Sequence, residues 1–383
     1  MLSNILPFLL LIFFFFLCAF IDIGQIKIKN IPKKGIVSIL WICLALFAGC
    51  RWSSAKLIEL GVFDYGAYKY VYEEALDISN FWNEYLISDN YFKGMDLGYL
   101  FISSFFSKHI ISSPNLFFLL ISCVTVYLLY KGFVRNRIHT LLLFLLFIYL
   151  TRLYFQYNFI IMRQALAMAM VWYAIPWIIE RKPGRFIAIC FVAASIHFSA
   201  IFFLLAYLFP KINFTSKFIL WTFSLLFLLG ITGLTNSLIQ IVMHSAVNLL
   251  GLSSRLIFYL NSGAYSRGIN LLNFVEILPF LYLAMKYRHR LVGNIYGRFF
   301  FNMFIFYVLF LLITMNFSAL TRISSYFIYS YFFILSATWK FIYLKTNKII
   351  IGSVLAVYFL IYGIRFAFAN FYEIPYNMFL FHI

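Results

Sequence analysis

The sequence predicts an all-α polytopic membrane protein with about 11–12 transmembrane helices, because apolar runs long enough to cross a bilayer recur along the whole chain. Apolar types make up 64% of the 383 residues and charged types 11%, whereas soluble domains hold about 45–50% and about 25%. The mean hydropathy is +0.93. This composition excludes a soluble domain, a disordered chain and a disulfide-stapled secreted module. It predicts that residues 1–383 form a single integral membrane domain.

Apolar runs near the twenty residues that a membrane helix needs are assigned as spans. They cover residues 4–23, 36–50, 114–131, 139–152, 158–179, 186–209, 218–234, 271–287, 298–316, 321–343 and 349–369. The first run is a span rather than an export signal, because it lacks a basic start and a small-residue cleavage site. Residues 237–250 form either a further span or an interfacial piece, and residues 97–110 are a candidate re-entrant helix.

More than half of the 30 basic residues fall in five short loops. These loops contain residues 27–34, 131–137, 181–185, 286–298 and 340–348. If residues 237–250 cross the membrane, alternate spans place all five loops on one side, which the positive-inside rule identifies as the cytoplasm. This distribution explains most of the net charge of +18 without a nucleic-acid partner, since no basic soluble segment with interleaved aromatics is present.

The opposite side carries one large loop, residues 51–97, which holds eight of the chain's 12 acidic residues and many aromatics. Tyr68 and Tyr72 lie four residues apart in this loop, so they share one face if this part is helical. The loop is the only sizeable polar surface that the sequence offers.

Five arginines lie at or near the predicted outer face of the membrane. A charge within a membrane is costly, so an ionisable residue there is by default a functional candidate. Arg152 ends the fourth span, Arg322 opens the tenth, and Arg163 lies five residues into the fifth, about 8 Å along it. Arg255 and Arg267 lie in an outer loop. A guanidinium is a planar fork that matches phosphate oxygens, so this group predicts a diphosphate site at the headgroup level. The alternative is snorkelling to lipid phosphates.

Three further ionisable side chains are candidates for proton transfer. His197 lies in the middle of the sixth predicted span, where the alternative is a core histidine bonded to neighbouring backbone. Glu276, near the outer end of its span, and Asp64, in the large loop, are carboxylates that could accept a proton from a hydroxyl group. The sequence has no metal-spaced Cys/His cluster and no P-loop, so neither a metal nor a cofactor is predicted.

Four groups of residues resemble the motifs of the EpsG family of membrane proteins. They are Asp64-Tyr65-Gly66-Ala67-Tyr68 with Tyr72, Asp96-Leu97-Gly98-Tyr99, Arg163-Gln164-Ala165-Leu166-Ala167, and His197-Phe198-Ser199-Ala200. The order Arg-Gln and then His-x-Ser-Ala, with a basic loop between, is the most specific part. Asp96 stands where the family pattern has Glu, and its side chain reaches less far by one methylene.

EpsG-like proteins are similar in role to Wzy-type polymerases of O-antigen and exopolysaccharide. The resemblance implies a GT-C-like glycosyltransferase of the bacterial inner membrane that joins oligosaccharide repeat units carried on undecaprenyl diphosphate at the periplasmic face. The loop of residues 51–97 is then periplasmic. The implied partners are this lipid-linked oligosaccharide and membrane lipid, with a chain-length regulator protein as a further candidate.

The resemblance also gives roles to the residues introduced above. The catalytic candidates are Asp64, Asp96, His197 and Glu276. The candidates for binding the diphosphate are Arg163 and Arg322 first, then Arg152, Arg255 and Arg267. The candidates for binding sugars are Tyr65, Tyr68, Tyr72, Tyr99 and Gln164.

Two other functions fit the same residues. A transferase that adds one sugar from a polyprenyl-phosphate donor would use the same arginines and loop, but its product would be a single step rather than a ladder. A flippase or transporter of lipid-linked glycan would leave the covalent length of the glycan unchanged. Transporters often have two similar halves, and the sequence shows no such repeat.

The predicted orientation is tested by a reporter fused after Lys29, which lies in the first basic cluster. We expect the cytoplasmic signal, because basic loops are retained in the cytoplasm. A matched fusion within the acidic loop, after Glu84, should give the opposite signal. A periplasmic signal from the Lys29 fusion would invert the topology of all spans.

Overall fold

The computed structural model of the chain describes residues 2–26, 33–51, 64–88, 90–235, 237–241, 245, 271–314 and 318–371, which form helices joined by turns. Six described helices are long and apolar enough to cross a membrane: Ser3–Ile23, Pro114–Arg135, Leu142–Ile160, Met162–Ile179, Ile295–Thr314 and Lys345–Phe371. Three shorter apolar helices are Pro183–Ile196, Phe198–Leu208 and Ser216–Ile231. The prediction of an all-α polytopic membrane protein is confirmed. Most of residues 237–250 lies outside the described residues, so the count of 11–12 spans stays a prediction.

The chain divides into two compact units, of which the first comprises Met1–Ile201 and Ile342–Ile383. Its helices are α1 (Leu2–Ile23), α2 (Lys33–Gly49), α3 (Asp64–Glu73), α4 (Phe81–Ile87), α5 (Asn90–Lys93), α6 (Leu97–His109), α7 (Pro114–Arg135), α8 (Leu142–Tyr149), α9 (Met162–Ile179), α10 (Pro183–Ile196) and α17 (Lys345–Phe371). Helix α1 packs against α8 and α17, and α7 packs against α2 and α9. The rings of Phe8 and Phe371 stack with centroids 4.1 Å apart, which joins α1 to the end of α17.

The second unit comprises Phe202–Phe341. Its labelled helices are α11 (Ser216–Ile231), α12 (Leu271–Lys286), α13 (Arg288–Val292), α14 (Ile295–Thr314), α15 (Ser318–Ser324) and α16 (Ser330–Trp339). Helix α14 is the centre of this unit, because α11, α13, α15 and α16 all pack against it. The Phe300 ring on α14 stacks on the Phe333 ring of α16 with centroids 4.2 Å apart.

Two predicted spans are each divided in two. The sixth breaks at His197, where α10 gives way to a 3₁₀ helix, and the tenth is divided into α15 and α16 by a turn. The expectations that His197 lies in mid-helix and that Arg322 opens a continuous span were therefore wrong. Near both breaks a serine hydroxyl, of Ser195 and of Ser324, donates to the backbone carbonyl three residues earlier at 2.8 Å. Such bonds compete with the helical ladder, and hydropathy does not report them.

The fourth predicted span is longer than expected. Helix α8 continues as an 11-residue π-helix, Leu150–Ile160, and the non-helical Ile161 separates it from α9. Arg152 therefore lies inside a helix rather than at its end, and its Nη1 donates to the Tyr362 hydroxyl at 3.3 Å. Arg163 lies in the first turn of α9 rather than five residues into a span. Polar residues in the π-helix interrupt the apolar run, which is why hydropathy ended this span too early.

Buried polar side chains join the helices of the first unit. The Asn136 side chain donates to the Trp172 carbonyl at 2.9 Å and links the end of α7 to α9. The Ser122 hydroxyl donates to the Ala45 carbonyl at 2.8 Å and links α7 to α2. Bonds of this kind contribute on average about 0.6 kcal/mol in a membrane protein, so they set the register of helices that pack by close contact.

The carboxylate of Asp22, near the end of α1, caps the start of α8. Its Oδ2 accepts hydrogen bonds from the N–H groups of Leu143 at 2.7 Å and Phe144 at 3.2 Å. Lys33 at the start of α2 forms an ion pair with the same carboxylate. The first N–H groups of a helix have no partner within it. A buried carboxylate from another helix satisfies them and places negative charge at the positive end of the helix dipole.

Replacing Asp22 by Ala should lower the melting temperature of the protein purified in detergent. The substitution leaves two N–H groups of α8 and the Lys33 cation without this acceptor, at a cost of about 1–3 kcal/mol. Asp22→Asn keeps an acceptor oxygen and should cost less. The control is Lys34→Ala, at an exposed position. Equal melting temperatures for Asp22→Ala and the wild type would contradict the cap.

Candidate functional site

Helix α3 packs the tyrosines of the large loop against the rest of the first unit. Tyr68 and Tyr72 share one face of this helix, as predicted, and both side chains are fully buried. The Tyr72 ring stacks on the Phe117 ring of α7 with centroids 4.5 Å apart, and its hydroxyl donates to the Ile111 carbonyl. The described part of the loop is therefore a set of short helices fixed to the membrane helices.

Arg163 and Asp96 form the ion pair at the centre of the site. The Nη1 of Arg163 lies 2.8 Å from the Oδ2 of Asp96, and the two side chains are 11% and 27% exposed. Arg163 belongs to the first turn of α9, and Asp96 immediately precedes α6. A cation that is this deeply buried requires a partner of opposite charge.

Two tyrosine rings flank the guanidinium of Arg163. Its central carbon lies 5.1 Å from the ring centroid of Tyr68 and 5.5 Å from that of Tyr99, both within cation–π range. The Tyr68 hydroxyl donates to the Oδ2 of Asp64 at 3.2 Å. Burial raises the pKa of Tyr68 to about 12, so this hydroxyl stays protonated at neutral pH. Asp64 is exposed and forms the solvent edge of the cluster.

Gly98 lets the start of α6 contact the end of α10. A Cβ atom at this position would lie 2.2 Å from the Oγ of Ser195 and 2.8 Å from its carbonyl oxygen. A larger residue would push the two helices apart, because protein interiors are close-packed. The glycine two residues after Asp96 therefore brings that carboxylate to the break that follows α10.

The break at His197 supplies a backbone donor to Asp96. His197 adopts an extended conformation (φ −150°, ψ 108°), and the N–H of Phe198 donates to the Oδ1 of Asp96 at 3.3 Å. The Nδ1 of His197 lies 2.7 Å from the Oγ of Ser199. Sequence reasoning missed the Phe198 N–H, and the polar residues on either side of it were the only signal for a break.

The carboxylate of Asp96 is thus held through both oxygens and is still partly accessible to solvent. A carboxylate fixed in one orientation can accept a proton from a hydroxyl group that reaches it. The Nε of Arg163 is buried and has no hydrogen-bond partner among the described residues. Buried in this way, Nε does not reach a ligand, so an oxygen ligand would have to contact the remaining N–H groups of this side chain, which is 11% exposed.

The residues assigned to sugar binding are inside the protein. Five side chains are each at most 4% exposed: Tyr65, Tyr68, Tyr72, Tyr99 and Gln164. The four tyrosines belong to one buried cluster with Met162 and Ile196, and two of them, Tyr68 and Tyr99, flank the guanidinium of Arg163. Direct sugar contact by these rings stays a prediction, and it requires their packed faces to be uncovered.

The other predicted residues are placed as follows. Glu276, 2% exposed on α12, and Arg322, on α15, belong to the second unit. Arg152 lies within the π-helix of the first unit. Arg255 and Arg267 lie outside the described residues. In the described part of the chain, no group of three or more His, Cys, Asp or Glu side chains is placed to hold a metal ion.

Comparison with known proteins identifies a family. A family model, described as EpsG family, matches residues 36–378 and so includes every residue of the cluster around Asp96. No curated protein and no solved structure matches the chain.

Replacing Gly98 by Ala should destabilise the protein, because the added methyl group overlaps the Ser195 backbone. Overpacking of this kind costs about 1–3 kcal/mol, which thermal unfolding in detergent would measure. The matched control is Gly184→Ala in α10, where nothing lies within 4 Å of the new methyl group. That variant should be as stable as the wild type or slightly more so. Equal losses in the two variants would show that the Gly98–Ser195 contact is not special.

Proposed function

The chain belongs to the EpsG family, and we propose that it polymerises oligosaccharide repeat units carried on undecaprenyl diphosphate at the periplasmic face of the bacterial inner membrane. The family supports a role in polysaccharide polymerisation in general. A multi-pass membrane protein suits a reaction in which both the donor and the acceptor are anchored in lipid. A chain-length regulator and membrane lipid are the further partners that we propose.

The observation that carries the proposal is the Asp96–Arg163 pair. It unites three motifs that are far apart in the sequence, since Asp96 precedes α6, Arg163 starts α9 and Phe198 follows α10. A fourth motif joins through Tyr68, whose ring flanks the guanidinium. One cluster thereby offers a candidate base and a candidate cation for a diphosphate.

Chain transfer of this type exchanges one bond for another. The bond between the anomeric carbon of the growing chain and its diphosphate breaks, and undecaprenyl diphosphate leaves with the bonding electrons. A hydroxyl oxygen of the next repeat unit bonds to that carbon, and its proton must pass to a base. Asp96 fits this role better than the exposed Asp64, because two groups fix its orientation and one of them is the guanidinium of Arg163.

Proton transfer to Asp96 would also change the charge beside Arg163. An ionised carboxylate compensates the guanidinium at their 2.8 Å separation. Once the carboxylate has accepted a proton, the guanidinium keeps an uncompensated positive charge while negative charge develops on the departing diphosphate. Cations that act on charge as it develops in the transition state give the largest stabilisation. The pair would thus couple acceptor activation to departure of the lipid.

Asp96→Asn should reduce polymer by about 10²-fold or more, the usual contribution of a positioned acid–base group. Arg163→Ala should reduce it by about 10²-fold or more as well, the usual effect of losing a group that stabilises charge in the transition state. Asp96→Glu keeps the carboxylate, and the family pattern has Glu here, so this variant should retain polymer. Arg185→Ala, at an exposed position in the first turn of α10, is the matched control. The measurement is gel analysis of the surface glycan in a deletion host that expresses each variant, with the protein level measured in parallel.

The deletion host itself distinguishes the three functions. A ladder that collapses to a core with one repeat unit identifies a polymerase. A full ladder with altered sugar content identifies a transferase of single sugars, and loss of even the single unit places the step earlier, in flipping or assembly. A normal ladder from Arg163→Ala at normal protein level would remove the proposed role of the cation.

A further inference from the structure

A cleft of about 550 Å³ lies beside the site, between the turn that precedes α4 and the first turn of α6. Its lining includes Ser79, Asn80, Trp82 and Asn83 on one side and Gly98 and Phe101 on the other. Gly98 is two residues from Asp96, so one wall of the cleft is continuous with the candidate catalytic cluster. Pockets that hold small organic ligands commonly measure about 300–1,000 Å³.

Trp82 lines this cleft and is largely exposed. Its side chain is 63% exposed, while the neighbouring Phe81 is buried. The Phe81 ring meets the Trp82 ring edge-on at 5.7 Å and the Phe101 ring edge-on at 5.8 Å. The indole thus packs against the Phe81 ring, and most of its amphipathic surface stays accessible to a ligand.

Two amide side chains stand beside the indole. The Asn83 NH₂ group donates to the Asn80 side-chain oxygen at 2.6 Å, and both residues are exposed. This bond leaves the Asn80 NH₂ group and the Asn83 side-chain oxygen for further partners, because each amide offers two donors and an acceptor. The pair therefore presents one donor group and one acceptor group in fixed relation to each other.

The turn that carries these residues is itself fixed. Asp77 accepts hydrogen bonds at 2.9 Å from both the N–H and the hydroxyl of Ser79, and it caps the short 3₁₀ helix Ile78–Asn80. The hydrogen bonds from Ser79, the backbone one first, lower the pKa of Asp77, so this cap is intact at neutral pH. The cleft wall is thus in place before any ligand binds.

The lining favours a neutral ligand, because none of the described residues that line the cleft carries a charge. An exposed aromatic face covers the apolar C–H surface of a sugar ring, and paired amides bind the hydroxyl groups at its rim. We propose that this cleft binds an uncharged sugar of the acceptor repeat unit and presents its neighbour to Asp96. This inference rests on the proposed polymerase function. It assigns sugar contact to Trp82 and the two asparagines rather than to the buried tyrosines.

The alternative is that Trp82 contacts the surface of the bilayer instead of a sugar. Leu86 and Ile87, on the same short helix α4, are 68% and 85% exposed, and tryptophan is common at membrane interfaces. These two residues are not part of the cleft lining. The amides beside Trp82 favour a sugar, and Leu86 offers a matched apolar control on the same helix.

The test uses full-length protein purified in detergent and the host's own repeat-unit oligosaccharide, released from its lipid by mild acid and labelled with a fluorophore. Trp82→Ala and Asn83→Ala should each weaken binding about tenfold, the effect of one lost contact of ~1.4 kcal/mol. Leu86→Ala should bind like the wild type. Both cleft residues are exposed, so these variants are expected to fold, and thermal unfolding checks this.

Three results would overturn the inference: no binding by the wild type, full binding by Trp82→Ala, or an equal loss in Leu86→Ala, which would favour a lipid-facing role for α4. Polymer formation in the deletion host is scored separately. Binding that depends on Trp82 in a protein that makes no polymer would support the cleft and refute the polymerase. Normal polymer together with binding that does not depend on Trp82 would support the polymerase and refute the cleft.

Discussion

The pairing of Arg163 with Asp96 is the constraint on which the arrangement of the first unit's short helices depends. The guanidinium of Arg163, at the start of a membrane helix, is 11% exposed and has lost most of its hydration. A carboxylate and the faces of aromatic rings must take the place of the lost water. The anion comes from the residue before α6, which reaches this place because Gly98 allows α6 to contact α10. The aromatic faces come from Tyr68 on α3 and Tyr99 on α6, and both rings are buried beside the guanidinium.

Interrupted helices supply the backbone groups that complete this arrangement. Irregular backbone within a membrane protein is tolerated where protein buries it or where it lines a cavity, because its polar groups must still be satisfied. A continuous helix through His197 would have paired the Phe198 N–H with the carbonyl of Ala194, and Asp96 would then have lost that donor. The π-helix ends two residues before the α9 turn that carries Arg163. π-Helical segments of this kind are rare and are often found at functional sites.

The membrane class, the positions of most helices and the shared face of Tyr68 and Tyr72 follow from hydropathy and helical periodicity alone. The hydrogen-bond partners of Asp96 could not be predicted in this way. Hydropathy is averaged over a window of residues and does not report which N–H groups lack a hydrogen bond within the helix. The burial of the loop tyrosines also escaped prediction, since an aromatic residue in a polar loop fits a sugar platform and a packed core equally well. Trp82 lies in the same loop but is 63% exposed, and this exposure depends on how α4 packs. The motifs of the site were thus readable from the sequence, and their contacts were not.

The stacking of Phe8 on Phe371 bears on how the chain is made. The two segments of the first unit are separated by the whole of the second, so ribosomes complete α17 only after translating Phe202–Phe341. Until then α1 faces lipid where α17 will later lie, which its phenylalanines tolerate because lipid tails are as apolar as the helix that replaces them. Assembly of the unit that carries Asp96 and Arg163 can therefore be completed only after the second unit has been translated. For the time that the second unit is in synthesis, membrane quality control meets a first unit that still lacks a helix.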